Sequence, residues 1–202
     1  MYFAFEGGEG GGKSSILLDV TQALRDCGYE VMVTKEPGGT VAGEAIRKIL
    51  LDREDTDLCN TAELLLFSAD RAQLVSQLLK PARKSKKIIL SDRCLYSFKA
   101  YQGYGRGVSM RVLDTLTRIS VGSVRPDYVI LLDIEPEVGL RRKSHQREIN
   151  RLDKETIDFH RRVRNGFLEM AGKDSAHWFI VDASQPPGTV SRQVFDLILS
   201  KI

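Results

Sequence analysis

Cysteine is scarce in this chain of 202 residues, and the three present, Cys27, Cys59 and Cys94, are scattered. An odd number with no C-x-x-C pair makes neither a disulfide framework nor a redox couple. Reduced thiols fit a cytoplasmic address. Histidine is as thin: His145, His160 and His177 lie far apart, so no Cys/His cluster has the spacing of a structural metal site. Long hydrophobic runs are missing. Stretches such as Ile88–Leu90 and Tyr128–Leu132 are strand-sized, well below the ~18 residues that span a bilayer, and no membrane partner is expected. The opening residues Met1–Glu6 carry neither a basic leader nor an apolar signal core. An excess of one charge is also lacking: 30 Lys and Arg stand against 27 Asp and Glu, a net +3 too weak by itself to argue for nucleic acid, and no nucleic-acid partner is expected. Without repeats, low-complexity tracts or a Pro/Gly linker, residues 1–202 read as one domain.

What is present is an alternation. Short apolar runs near 2–6, 30–34, 87–91, 127–133 and 177–182 are separated by helical patterns near 13–27, 41–51, 60–84, 107–122, 136–145 and 153–172. A last helix lies near 188–201. This βαβ rhythm predicts an α/β chain with a parallel sheet and helices on both faces. Gly28, Pro126 and Pro136 fall where a helix stop, a strand entry and a helix start are expected.

The sharpest local signal is Gly7-Gly8-Glu9-Gly10-Gly11-Gly12-Lys13-Ser14, followed by Ser15. It matches G-x-x-x-x-G-K-[ST] completely, with a strand before it and a helix after it. Glycines let the backbone curl into a nest of inward N–H groups, and the next helix aims its positive end at the same point. Lys13 adds a mobile cation for the outer phosphates. The Ser14 hydroxyl is a suitable ligand for magnesium. The chain is therefore expected to bind a nucleoside triphosphate.

The blocks FEGGEGGGKSS, KEPGGT, LLFSADRAQ, SDRCLYSFKAYQGYGRG and NRLD occur in the order and spacing of bacterial thymidylate kinases, and the chain resembles that family from about residue 3 to residue 190. The resemblance implies a three-layer P-loop fold with a five-stranded parallel sheet of order 2-3-1-4-5 and a lid. It implies phosphorylation of thymidine monophosphate by ATP with Mg2+, for dTTP synthesis, by a homodimer.

Residue by residue, the resemblance assigns roles that the residues themselves leave open. Phe67 and Arg71 share a helix face. Spacing alone also fits a core ring and a surface cation, whereas the family stacks thymine on the first and contacts the base with the second. Asp92 and Arg93 end a strand, where ligands of open α/β sheets bind. Asp92 would order magnesium or its waters, or brace an arginine; Arg93 would bridge the acceptor phosphate and the transferring group. Ser97, Tyr101 and Gln102 would line the monophosphate site, with Tyr101 against the sugar. Phe98 departs from the usual Thr or Ser and cannot hydrogen-bond a base. Glu9 would hold the 3′-hydroxyl, and Glu36 and Pro37 would face the same cleft. The basic run 141–151 is the expected lid, with Arg147 the preferred transition-state arginine and Arg142 placed on the ATP, near the 182–186 stretch. A charge run is also consistent with a solvated face. Two other readings stand beside this one: a kinase for a different nucleotide or nucleoside, and a non-catalytic nucleotide switch. A guanine-reading Asn-Lys-x-Asp motif is absent.

Overall fold

Strand β1 (Tyr2–Glu6) is buried along its whole length, as a central strand apolar on both faces must be. Around it stand β2 (Val31–Lys35), β3 (Ile88–Asp92), β4 (Tyr128–Asp133) and β5 (Trp178–Asp182). The sheet is wholly parallel, in the order β2-β3-β1-β4-β5. This is the expected order. The computed structural model describes residues 1–52, 58–144 and 151–202.

The helices are α1 (Lys13–Asp26), α2 (Val41–Arg47), α3 (Asn60–Leu74), α4 (Lys80–Lys84), α5 (Leu95–Phe98), α6 (Met110–Val121), α7 (Pro136–Ser144), α8 (Ile157–Lys173) and α9 (Pro187–Leu199). Alternation along β1 sends its side chains into different layers. Phe3 and Phe5 pack with Ile16, Val20 and Leu24 of α1 and Val190, Val194 and Ile198 of α9. Tyr2 and Ala4 face Leu74, Val75 and Leu79. Farther along the sheet, Val129, Leu131 and Trp178 meet Phe159, Val163 and Phe167 of α8. Each such side chain contributes roughly 1.5–3 kcal/mol by leaving water.

Several boundaries differ from expectation. Helix α6 starts at Met110 rather than 107, and the helix expected over 41–51 passes into a π turn at Lys48–Asp52. Three further differences have identifiable causes. The helix expected from 153 starts at Ile157, because the Thr156 hydroxyl accepts from Phe159 N–H at 3.2 Å and caps it there; Arg151–Lys154 form a separate 3-10 turn. The helix expected over 60–84 is helical throughout but widens to a π turn at Val75–Leu79. Pro81 has no N–H to return to the preceding turn, and a wider ladder removes that conflict. The third difference is a helical segment absent from the expectation: α5 continues as a π turn over Lys99–Gly105. Gly103 and Gly105 disguise it in the sequence. Its helicity is set by packing against α8 through contacts such as Tyr101 with Phe159 and Phe167.

All five strands point the same way, so their carboxyl ends share one edge. Lys35 pairs in register with Asp92, and Asp133 with Asp182. That edge is where a ligand meets chain termini rather than continuous ladder.

Candidate functional site

The loop between β1 and α1 is shaped by left-handed glycines. Gly10 and Gly12 have φ of 68° and 78°, values a side chain disfavours. Space matters as well: a Cβ on Gly10 would sit 1.9 Å from Gly139 O, and a Cβ on Gly139 2.2 Å from Glu9 O. The phosphate loop thus touches the backbone of α7, and the basic run at the end of α7 starts from beside it. Lys13 Nζ donates to Gly7 O at 3.1 Å and Gly8 O at 2.7 Å, so its charge lies over the nest. Burial lowers the Lys13 pKa to about 8, and the neighbouring Arg93 charge adds to this. Ser14 Oγ donates to Asp92 Oδ2 at 2.7 Å.

A cavity of about 450 Å3 runs from Gly10, Lys13 and Ser15 of this loop, past Asp92 and Arg93, to Glu36, Pro37, Phe67 and Arg71. Arg93 is part of this lining. Its guanidinium donates to Gly7 O (3.1 Å), Ser97 Oγ (3.1 Å) and Glu9 Oε1 (2.7 Å) and rests on the Tyr101 ring at 5.1 Å. Tyr101 Oη also donates to Glu9 Oε1, at 2.7 Å. Burial opposes charge on Glu9, but Arg93 and Lys13 outweigh it and hold the carboxyl at about 2. Lys13 and Arg93 thus stand in the cavity lining as two cations beside the one Glu9 anion.

At the far end, Arg71 and Glu36 form a buried pair, Nε to Oε2 at 2.6 Å. Arg71 NH1 is buried without a hydrogen-bond partner. Such a donor is costly unless a ligand meets it. Phe98 is buried beneath the Arg71 guanidinium, 5.0 Å from its centre, and lies 6.1 Å from the Phe67 ring. The residue that cannot hydrogen-bond a base thus builds a second aromatic wall and orients the arginine. A flat ring, an apolar flank and one unpaired donor suit a planar heterocycle bearing a carbonyl.

Most of the residues singled out in the sequence are gathered at this cavity, and the glycine loop closes one end of it. Gln102 lines the wall, but its amide nitrogen donates to the buried Glu63 at 2.6 Å. Arg142 stands outside the lining and donates to Ala183 O (2.8 Å) and Ser184 O (3.1 Å), which joins the two stretches expected near the adenine. Arg147 lies outside the described residues. Two residues that the sequence reading did not single out, Glu6 and Glu63, carry weight here, beside Lys143 of the basic run. Lys143 lines the cavity and helps to lower Glu9. Glu6 holds the segment after Arg93. Glu63, on the same face of α3 as Phe67, binds Gln102 and Arg151, and Arg106 lies beside it. The i, i+4, i+8 spacing of Glu63, Phe67 and Arg71 was the signal available for Glu63.

The donor set Ser14–Asp92 is two adjacent hard oxygens, which suits magnesium held mainly by phosphates and water. Among the described residues no group of three or more His, Cys, Asp or Glu could hold a metal by protein ligands alone.

Comparison with known proteins agrees with this geometry. The family model described as thymidylate kinase matches residues 5–194. The thymidylate kinase of Maridesulfovibrio salexigens is 40% identical over 209 residues, covering 100% of this chain and 96% of its own length. That of Nitratidesulfovibrio vulgaris is 41% identical over 210 residues, covering 100% and 93%. The crystal structure of thymidylate kinase from Ehrlichia chaffeensis superposes with a TM-score of 0.80 at 28% identity, over 98% of each chain. A phosphate loop joined by one cavity to an aromatic, arginine-headed pocket, together with matches over the length of the chain, leads to one conclusion: this chain belongs to the thymidylate kinase family.

Proposed function

We propose that this chain carries out the reaction of its family, phosphoryl transfer from ATP to thymidine monophosphate, with Lys13 and Arg93 as the fixed cations of the transfer. It is a kinase of nucleotide biosynthesis, and its product, thymidine diphosphate, leads to dTTP. The observation that carries the assignment of roles is one cavity lined by the phosphate loop, by Arg93 and by the Phe67–Arg71 pair. An acceptor phosphate oxygen attacks the γ-phosphorus as the bond to the β–γ bridging oxygen breaks, and ADP leaves. The acceptor is already an anion at neutral pH, so no Ser/His or Cys/His activation is required. The protein's task is to hold two polyanions in line and to screen their repulsion.

In this reading the glycine loop takes the ATP phosphates, Lys13 the outer ones, and Arg93 the oxygens shared between donor and acceptor. Phe67 stacks the thymine and Arg71 NH1 donates to a ring carbonyl. Glu9 and Tyr101 meet the sugar. Ser14 and Asp92 would hold magnesium, which supplies charge neutralisation on the β- and γ-oxygens when bound. The lid expected over the basic run 141–151 falls partly outside the described residues, Arg147 among them. Within them, Lys143 reaches the cavity and Arg142 lies against the 182–186 stretch, which supports a water-excluding role for this run. The whole chain acts as one kinase domain in the cytoplasm. Exposed Leu65 on α3 and Val112 and Ile119 on α6 support a homodimer joined through these neighbouring helices.

A substrate panel tests the assignment. With Mg-ATP, ADP release is expected to be fastest with thymidylate, slower with deoxyuridylate, and slight with uridylate, cytidylate and thymidine. No ADP with thymidylate would remove the proposal. The Lys13 pKa supplies a second test. In the free protein it is about 8, and bound phosphates raise it. At pH 8 the site is half-protonated when empty and fully protonated when filled. ATP binding should therefore take up about half a proton at pH 8 and almost none from this group at pH 6.5. Calorimetry in two buffers of different ionisation enthalpy measures the uptake, which Lys13→Met should abolish.

A further inference from the structure

Glu6 ends β1, is 0% exposed, and has no part in the roles assigned above. Its carboxylate is saturated from one short segment. Oε1 accepts from Cys94 N–H at 3.0 Å, from Ser97 N–H at 2.9 Å and from the Cys94 thiol at 3.2 Å. Oε2 accepts from the Ser97 hydroxyl at 2.5 Å. All of these donors lie within four residues of Arg93.

The start of α5 explains part of the arrangement. Its cap residue, Cys94, makes no side-chain capping bond, and Glu6 supplies the acceptor from across the chain. Capping alone does not account for the rest. Arg93 adopts φ 70°, a left-handed backbone that a residue with a side chain rarely takes unless its surroundings hold it there. It is pinned on both sides: Arg93 N–H donates to Phe5 O at 2.9 Å, and Arg93 O accepts from Ser91 Oγ at 2.6 Å. The same Ser97 hydroxyl that donates to Glu6 accepts from Arg93 NH1 at 3.1 Å. Backbone and guanidinium are thus both tied to one buried carboxylate, directly or through Ser97. Ser97 lines the cavity, as expected for the monophosphate site, and its hydroxyl is also engaged by Arg93 and Glu6.

We propose that Glu6 and Ser97 are positioning residues for the transfer step, fixing the Arg93 guanidinium where charge gathers in the transition state. The inference rests on the reading of Arg93 in the proposed function. A preset donor needs no reorganisation as the phosphoryl group moves, whereas a freed arginine must find its place in each turnover. The effect therefore falls on kcat and spares the binding of both substrates.

Ser97→Ala is expected to lower kcat about tenfold or more, with KM for thymidylate and for ATP within about twofold of the parent and Tm nearly unchanged. Glu6→Gln keeps a carbonyl for the backbone N–H groups but loses the acceptor for the Ser97 hydroxyl, and is expected to show the same split. Ser97→Thr, which keeps the hydroxyl, should recover most of the rate. In an Arg93→Ala background, Ser97→Ala should cost little further, because its effect passes through the missing guanidinium. Parent-like kcat in folded Ser97→Ala and Glu6→Gln, with Arg93→Ala nearly inactive, would overturn the positioning role alone. So would a raised KM for thymidylate with unchanged kcat, which would make Ser97 a substrate contact. Parent-like turnover in Arg93→Ala would overturn this inference and the role of Arg93 together.

Discussion

Replacing Lys13 with methionine is expected to lower turnover by about a hundred- to a thousandfold without lowering Tm. The two halves of this result have one cause. Lys13 Nζ stands over the glycine nest, bonded to Gly7 O and Gly8 O, at the place proposed for the outer phosphates of ATP. A cation aimed at charge that develops in the transition state is worth about 3–4 kcal/mol of barrier, the scale set by single-donor deletions. In the empty protein the same cation is held against its preference. Burial and then Arg93 depress its pKa to about 8, below the 10.5 of a free lysine. The sign follows: between pH 8 and 10.5 the unfolded chain binds more protons than the folded one, so folding stability rises with pH across that window. At neutral pH the charged lysine is a cost to folding. Methionine keeps most of the aliphatic stem and removes that cost. Steady-state kinetics with thermal melts at pH 7 check both halves. A Tm lower by several degrees would mean that the bonds to Gly7 O and Gly8 O support the loop more than charge crowding strains it. Parent-like turnover would remove Lys13 from the chemistry.

This opposition between function and stability bears on what the sequence could reveal. The phosphate loop was legible because its chemistry is local: eight consecutive residues make a nest whatever lies around them, provided a strand precedes and a helix follows. The sheet was legible too, since runs such as Tyr128–Leu132 are apolar at every position, strand-sized and set between helical patterns, as a strand covered on both faces is. The missed helical segment over Leu95–Gly105 shows the opposite case. Its local preferences are weak, with two glycines and several aromatics, and its conformation comes from long-range contacts with α8 and from the Glu6 carboxylate. Glu6 was invisible for the same reason. Its partners are 88 and 91 positions away along the chain, and a lone glutamate after a strand carries no pattern. Phe98 was seen as a departure, but its new role beneath Arg71 required the geometry. Pairs on one helix face, such as Phe67 and Arg71, lie between these limits. Their proximity follows from spacing, while their aim into a cavity depends on where α3 sits.

Arg71 tests that last point with a large effect of its own. Arg71→Ala is expected to lower Tm by about 6–20 °C and to raise KM for thymidylate far more than KM for ATP. Arg71 and Glu36 are 3% and 5% exposed, and they face each other at 2.6 Å. Removing one partner of a buried pair strands the other, at about 3–5 kcal/mol, and each kcal/mol is worth about 2–4 °C of Tm at this chain length. Burial already pushes the Glu36 carboxyl above the usual carboxylate range, with Arg71 pulling it down; without Arg71 it moves higher. The folded variant then holds a proton that the unfolded chain releases near 4.5. Its stability therefore falls as pH rises from about 4.5 through the raised folded pKa, and the Tm deficit should be larger at pH 8 than at pH 5. Adding Glu36→Gln removes the stranded charge and should restore much of the Tm. It should not restore thymidylate binding, because the donor proposed for the base, Arg71 NH1, remains absent. Recovery of both would mean that Arg71 serves only to neutralise Glu36, and its unpaired NH1 would then have no part in reading the base.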